Sequence, residues 1–475
     1  MQKSIQKWLP ELCVGIILLF FTYRELGTFP AAWADDSLFM IVARSLAEGR
    51  GYALPILESP WHFPYTLNIG PPLILPVALF IKLFGFSVSI ARIPMTLFLM
   101  GTVTAFYFFT KHITNRITAC WSTILLVTLS AFVNNGKPVL GEVPGLFFLL
   151  LGLLALLRIE RQWKWTLWSG MFFGLALLTK ITYGLILPAL GIAWLVALRR
   201  KEWNTLKKIT LVGCLTVLLY LPWRFVELNS QPGLLSDFLF LWGQSNQESA
   251  APFSHLFSHP DTLTRLPFLA YGTFLLLGGI GLWNIRKNLH HVAGSTLATL
   301  IILFTIYFLS SFGWYRHLLP AHFLLLPFVP IGLETTLSLC SWKTQIKKPL
   351  IALILSGIIL LQGWWQLDHR GASRSTEAED VAHALQKGFT EEPMVIQQAE
   401  VFVQLPYNRH WFFLTNPKIT ERLPETVVQY SDTTRCLPVL LKLSEQSVQD
   451  WNDRITHVSG RYYLVELPDA SCPTT

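Results

Sequence analysis

Residues 9–44 read LPELCVGIILLFFTYRELGTFPAAWADDSLFMIVAR, an apolar run that is followed by two adjacent acids, Asp35 and Asp36. Carboxylates are costly beside a segment that spans a bilayer, so the pair needs a structural or chemical reason. The apolar residues of segment 33–44 recur at helical spacing, which predicts a helix lying on the membrane surface with the acids at the mouth of a cavity. Asp36 has an alternative role as a cap of this helix, where carboxylates are favoured.

The composition of the whole chain is that of a membrane protein with many spans. The 475 residues are 52% hydrophobic and 13% aromatic, with a mean hydropathy of +0.44. Residues 366–475 hold ten basic and fifteen acidic residues, and the first 365 hold 27 and 14. We therefore predict an α-helical polytopic membrane domain, residues 1–366, followed by a small soluble α/β domain, residues 367–475. The net charge of +8 follows from basic cytoplasmic loops and does not require a nucleic-acid partner.

The apolar runs predict about eleven spans, and the charges between them predict the topology. The predicted spans are residues 9–26, 88–110, 117–133, 143–158, 165–179, 182–198, 209–225, 264–285, 294–312, 317–338 and 349–366. Basic residues precede the first span and follow every even-numbered span, which assigns that side to the cytoplasm. The first outer loop, residues 27–87, and the tail then lie outside. Residues 71–84 would invert this pattern if they crossed, so we predict a helix at the outer interface. No small-residue cleavage site follows the first run, which is interpreted as an anchor.

Several ionisable residues fall on the predicted outer side. Glu142 opens the fourth span, Lys180 lies at a break between two spans, and Arg224 is near the outer end of the seventh. Arg316 and His317 begin the tenth. An acid at a helix start also complements the helix dipole, and a lysine at a span end also reaches for the interface. Together, however, these residues supply what transfer from a lipid phosphate requires: a carboxylate as general base and cations for the departing phosphate.

The tail carries fewer signals. Residues 377–385 predict an amphipathic helix, and residues 394–396 and 462–465 predict strands. Cys436 and Cys472 would form a disulfide in an oxidising compartment or remain free thiols, and their spacing does not decide between the two. The sequence contains no phosphate-cradling glycine loop, paired-cysteine zinc motif or nucleic-acid module. We predict no cofactor or metal site, and a requirement for a divalent metal stays open.

Short blocks along the membrane domain resemble a known family. The blocks are the acid pair at 35–36 with AEGRGY at 47–52, GPPL at 70–73, ARIP at 91–94, LGEVP at 140–144, GLALLTK at 174–180 and YRHLLP at 315–320. Their order resembles the GT-C class of membrane glycosyltransferases. The nearer branch comprises the dolichyl-phosphate-mannose protein mannosyltransferases and the bacterial lipid A aminoarabinose transferases. In one departure, Gly70 precedes the proline pair where the aminoarabinose branch has a lysine.

The resemblance implies a function and assigns roles to residues. It implies sugar transfer from a polyprenyl-phosphate donor to a lipid, glycan or protein acceptor, on the outer face of what we expect to be a bacterial inner membrane. Asp35 matches the catalytic aspartate, which acts as general base, and Glu142 matches a second catalytic acid. The candidate substrate-binding residues are Asp36, Lys180, Arg224, Arg316 and His317.

Two other classes of protein were weighed against a glycosyltransferase. A transporter or flippase of lipid-linked saccharides would also place ionisable residues near the membrane. Such proteins often carry paired broken helices in two related halves, and no such repeat occurs in this sequence. A non-catalytic membrane scaffold with an exported binding tail is the third alternative.

Overall fold

The computed structural model describes residues 2–57, 59–64, 67–229, 266–286, 289, 291–310, 315–339, 344–369, 372, 374–414, 434, 436–443 and 455–466. Helices dominate, and helical structure lies at each of the eleven predicted apolar spans. The helices are α1 (Gln2–Tyr23), α2 (Ala34–Ala47), α3 (Pro71–Phe84), α4 (Val88–Ile113), α5 (Arg116–Thr128), α6 (Ser130–Gly136), α7 (Glu142–Leu156), α8 (Trp163–Thr179), α9 (Ile186–Arg199), α10 (Trp203–Asn229), α11 (Leu266–Ile285), α12 (His291–Leu309), α13 (Tyr315–Leu325), α14 (Val329–Ser338), α15 (Thr344–Leu367), α16 (Glu377–Gly388) and α17 (Ala399–Phe402).

The number of membrane spans differs from the prediction. Among the described residues, six helices or continuous helix runs are long and apolar enough to cross: Val88–Ile113, Ile181–Arg199, Trp203–Glu227, His291–Leu309, Tyr315–Ser338 and Gln345–Leu367. Helices α5 and α6, bent by 63°, make a seventh if they form one span. Four shorter apolar helices are Leu9–Tyr23, Pro71–Phe84, Glu142–Leu156 and Gly272–Ile285. The protein is polytopic, but the count of eleven is not confirmed, because helices this short fall below the ~20 residues of a perpendicular crossing.

Helix α2, which carries the acid pair, lies inside the protein. It begins after Trp33, whose backbone is extended, and both acids fall in its first turn, where negative charge suits the helix dipole. The amphipathic pattern predicts one covered face, whereas the structure buries ten consecutive residues, 36–45. The helix packs against α3, α17 and strand β1 (Ala53–Ile56), which pairs antiparallel with β2 (Ser59–His62). The acids are therefore held by packing on several sides.

The tail forms a small mixed sheet, as the sequence predicts. Its strands are β3 (Met394–Ile396), β4 (Trp411–Phe413), β5 (Val439–Lys442), β6 (Ile455–Ser459) and β7 (Tyr462–Val465). The order is β4-β3-β5-β7-β6, with β3 parallel to β4 and β5, and β7 antiparallel to β5 and β6. The predicted helix and strands coincide with α16, β3 and β7. Cys436 is disulfide-bonded, and Cys472, the partner weighed from the sequence, lies outside the described residues.

The tail and the first outer loop share one hydrophobic core. Buried side chains of both contribute to it, among them Met40, Leu54, Val395 and Phe402. The amide of Leu57 donates to the carbonyl oxygen of Phe413 at 2.8 Å. The guanidinium of Arg44 donates to the carbonyl oxygens of Val403 and Leu405 at 2.8 and 2.6 Å. The tail is thereby fixed to the helix that carries the acids, and the domain boundary near residue 366 stays a prediction.

Candidate functional site

Four predicted site residues form one chain of ion pairs. Arg316 Nη1 donates to Asp35 Oδ2 at 2.6 Å, and Arg316 Nε lies 3.9 Å from Glu142 Oε1. Lys180 Nζ donates to the same Glu142 oxygen at 2.5 Å. Two carboxylates and two cations from four separate segments thus alternate in sign. Their formal charges sum to zero, so the cluster is balanced before any charged substrate enters.

Close backbone packing positions Lys180. It is an extended residue (φ −155°, ψ 129°) between α8 and a short 3-10 helix, Ile181–Leu185. It pairs with Ile69 in an isolated antiparallel bridge. A Cβ atom added at Gly70 would lie 2.1 Å from the Leu178 carbonyl oxygen, and one added at Gly141 would lie 3.1 Å from Lys180 Cβ. Glycine at 70 permits this close approach, which brings the Lys180 ammonium to Glu142.

Glu142 is the most enclosed acid of the cluster. It is the first residue of α7, is 3% exposed, and accepts a hydrogen bond at its backbone oxygen from the Tyr183 hydroxyl. Its Oε2 atom has no hydrogen-bond partner among the described residues. A buried carboxylate oxygen is costly to leave unpaired, so this oxygen can accept a hydrogen bond from a bound molecule without first breaking another.

The two adjacent acids of α2 occupy different environments. The side chain of Asp35 is 34% exposed, whereas that of Asp36 is fully buried. Asp36 Oδ2 accepts from Arg92 Nη2 at 2.5 Å, and its Oδ1 accepts from the Val139 amide at 2.6 Å. No side chain caps α2. Asp36 instead ties α2 to α4 and to the loop before α7, and it is not placed to touch a substrate.

Two other predicted substrate residues lie outside the ion-pair chain. Arg224 Nη1 binds Glu227 Oε2 at 3.0 Å, and Trp223 donates to the other oxygen of that carboxylate at 2.8 Å. His317 follows Arg316, and its ring packs against that of Tyr307 with centroids 5.2 Å apart. Neither side chain links the two acids, and a role for Arg224 and His317 in substrate binding stays a prediction.

Two residues without a predicted role, Trp33 and Arg92, organise the site. Trp33 holds the Arg316 guanidinium over its ring, with Arg316 Cζ 4.9 Å from the ring centroid. Arg92 donates to the carbonyl oxygens of Leu26 and Pro30 at 3.0 and 2.8 Å as well as to Asp36. The signal for Arg92 was an arginine inside an apolar span, which is costly unless it is paired. Nothing local distinguished Trp33.

A group of possible metal ligands lies away from this cluster. Among the described residues, Glu160, Glu202 and His291 bring their ligand atoms within 4.8 Å of one another. Glu160 follows the end of α7 opposite to Glu142, and a helix of this length spans about 22 Å at ~1.5 Å per residue. This group therefore lies at the other end of α7 and is not part of the ion-pair chain.

Comparisons with known proteins agree with this fold. Residues 70–224, which include Glu142 and Lys180, match the family model described as dolichyl-phosphate-mannose-protein mannosyltransferase. The structure is similar to ArnT from Cupriavidus metallidurans bound to undecaprenyl phosphate, with a TM-score of 0.68, 12% identity and 99% of each chain covered. It is also similar to the archaeal oligosaccharyltransferase AglB from Archaeoglobus fulgidus in complex with an inhibitory peptide and a dolichol-phosphate. There the TM-score is 0.55 at 10% identity, over 87% of this chain and 65% of that one.

No curated protein matches this sequence. The resemblance to GT-C membrane glycosyltransferases is confirmed by the family match and by the fold. At identities this low, the solved structures establish the architecture, and the chemistry has to be argued from the residues of this chain.

Proposed function

We propose that this chain transfers a sugar from a polyprenyl-phosphate donor to a lipid, glycan or protein acceptor on the outer face of a bacterial inner membrane. The observation that carries the proposal is the ion-pair chain of Asp35, Arg316, Glu142 and Lys180. It lies in a fold shared with ArnT, whose structure holds undecaprenyl phosphate. The sign pattern of the basic loops supports an outer location for the cluster.

Asp35 has the access that a general base needs. It is the more exposed acid of the cluster, so it can reach the hydroxyl group of an acceptor. In the proposed step the acceptor oxygen bonds to the anomeric carbon of the sugar as the bond from that carbon to the phosphate oxygen breaks. The acceptor proton passes to Asp35, and the lipid phosphate leaves as a monoester. Lys180 and Arg316 stabilise the charge that grows on that phosphate.

The charge balance explains why Arg316 binds Asp35 in the resting protein. During the step the phosphate gains one negative charge and Asp35 loses one as it takes the proton. A guanidinium that contacts Asp35 beforehand can turn to the phosphate of a bound donor before the proton moves, because Arg presents several donors in a rigid fork. The same contact would otherwise weaken Asp35 as a base. We therefore infer that donor binding draws Arg316 away from Asp35 and so activates this carboxylate.

The test is Asp35→Asn in purified protein reconstituted with polyprenyl-phosphate sugars. We expect transfer to fall by roughly 10²- to 10⁴-fold, the range for loss of a general base, while insertion and donor binding persist. The matched control is Asp380→Asn, because Asp380 is an exposed acid in the first turn of α16. Wild-type rates in Asp35→Asn would refute the proposal. Mass spectrometry of lipids, glycans and exported proteins, from cells with and without the protein, would identify the sugar and the acceptor.

A further inference from the structure

A cavity of about 990 Å³ lies between the membrane part and the tail. Its membrane side includes Trp33, Phe86 and Asn134, and its tail side includes Glu377, Gln386 and Tyr462. This volume is at the upper end of the range for small-molecule sites, and it is large enough for more than a single small metabolite.

The cavity adjoins the ion-pair chain. Ala34, the residue before Asp35, lines it, and so does Leu140, two residues before Glu142. Trp33 is the shared wall, because it lines the cavity and also holds the Arg316 guanidinium over its ring. The four ion-paired residues are not themselves part of the lining, but Ala34 precedes Asp35 in α2, so a molecule in the cavity would lie one residue along the helix from the acid that we propose as general base.

Asn134 is a buried polar side chain with unused hydrogen-bonding capacity. It lines the cavity and is 8% exposed, and neither its amide nitrogen nor its amide oxygen has a hydrogen-bond partner among the described residues. An amide offers donors and an acceptor side by side. Since leaving both unpaired in a buried place is costly, a ligand that carries hydroxyl groups fits this position.

The remaining lining narrows the chemistry of the ligand. Three acids, Glu377, Glu379 and Glu400, and three bases, Arg374, Lys442 and Arg461, belong to the lining, so its formal charges sum to zero. Glu377 binds Lys442 at 3.0 Å and Arg461 at 2.9 Å. The other lining residues mainly carry small side chains, hydroxyls, amides or aromatic rings. The branched aliphatic side chains of the lining are those of Val88 and Leu140. A lipid tail would need an apolar lining. Aromatic rings with amides and hydroxyls suit a molecule that has both polar edges and less polar faces.

We propose that this cavity is the acceptor subsite and that the acceptor is a saccharide, whose hydroxyl group is presented to Asp35. This inference rests on the proposed glycosyl transfer and narrows its acceptor to a glycan or the sugar headgroup of a glycolipid. The tail then has a function, because it supplies half of the wall that holds the acceptor.

The test uses photocrosslinking in the cells that make the protein. A benzophenone amino acid replaces Gln386, which is exposed and lines the cavity, or its exposed neighbour Lys387, which does not line it. The full-length protein carries Asp35→Asn, which is expected to retain an unreacted acceptor. We expect adducts at position 386 well above those at 387, with an added mass that periodate oxidation destroys and that contains no amino acids.

Each other outcome overturns the inference. A peptide adduct at position 386 would indicate a protein acceptor, and an adduct that resists periodate and contains no peptide would indicate a lipid without sugar. Equal labelling at 386 and 387 would show that the cavity holds no acceptor. The Asp35→Asn rate is measured separately. A saccharide adduct together with wild-type transfer would refute Asp35 as the base while leaving the acceptor subsite in place.

Discussion

Asp36→Asn is expected to destabilise the protein, although the substitution removes only a charge. The side chains of Asp36 and Arg92 are both fully buried, and their closest atoms are 2.5 Å apart. Without the carboxylate, the Arg92 guanidinium keeps its hydrogen bonds to the Leu26 and Pro30 carbonyl oxygens but loses the negatively charged partner that it has among the described residues. Removing one member of a buried pair costs about 3–5 kcal/mol, since the other charge stays buried. That is a large share of a typical total stability of about 5–15 kcal/mol.

The assay is thermal unfolding of the purified protein in detergent, followed by intrinsic fluorescence, with Asp380→Asn as the control. Asn at position 380 can still accept the hydrogen bond that Thr376 Oγ1 donates at 3.1 Å, so this exposed substitution loses only the interaction with the helix dipole, about 0.3–1 kcal/mol. A second comparison combines Asp36→Leu with Arg92→Met. Replacing both members of a buried pair with apolar residues is often neutral or stabilising, so the double variant should unfold above Asp36→Asn. The unpaired Val139 amide would still cost about 1–3 kcal/mol.

Two results would refute this reasoning. Asp36→Asn could unfold at the wild-type temperature, which would mean that the Arg92 charge is satisfied in another way. The double variant could unfold no higher than the single one, which would mean that the buried charge is not the source of the loss. The contrast with Asp35→Asn is the informative one, because that variant should keep its stability and lose its activity.

Three further predictions concern the surroundings of the site. Gly70→Ala should lower sugar transfer on the order of 10²-fold, the effect of a misplaced catalytic group. The added Cβ atom would lie 2.1 Å from the Leu178 carbonyl oxygen and push the neighbouring Lys180 out of place. Gly191→Ala is the control, because a Cβ atom added there meets nothing within 4 Å. Arg44→Met removes the Nη1 atom that donates to both the Val403 and the Leu405 carbonyl oxygens, so amide exchange in the tail should quicken, and unchanged exchange would show that these hydrogen bonds do not fix the tail to α2. Hydrogen bonds from Arg461 lower the pKa of Glu377 to about 2. The stability that this ionised acid contributes is therefore present above pH ~4.5 and is lost as the pH falls toward 2. Glu377→Gln should flatten the dependence of unfolding temperature on pH in that range.

The helices were predictable because hydropathy is a local property of the chain. Apolar runs located helical structure at every predicted span, and the break at Lys180 was visible as a polar interruption. The bend between α5 and α6 was not, because residues 117–133 contain no proline or glycine at the bend. The burial of α2 was also missed. The apolar pattern of a helix cannot reveal a cover that comes from residues 399–413, which follow more than 350 positions later.

The sequence could predict that the site residues share one side of the membrane, but not which of them are in contact. Alternating basic loops sort residues to one side of a membrane, which brought Asp35, Glu142, Lys180 and Arg316 to the same side. Sorting does not say which of them meet. Arg224 is predicted on that side too, but it binds Glu227, a pairing at i and i+3 that its helix makes available without any tertiary contact.

The sequence alone could not separate the roles of Asp35 and Asp36, because it does not show which of the two is buried. Successive residues of a helix point about 100° apart, so adjacent acids cannot share one environment when the helix is packed on several sides. One of the two had to point inward, and a buried carboxylate requires a buried cation. Arg92 is that cation. An arginine within the apolar helix α4 is costly unless it is paired, so its position in the sequence indicates that a carboxylate lies beside it. Once Asp36 is engaged by Arg92, Asp35 is the acid of the pair that remains accessible, and this difference in burial supports the proposal that Asp35 is the general base.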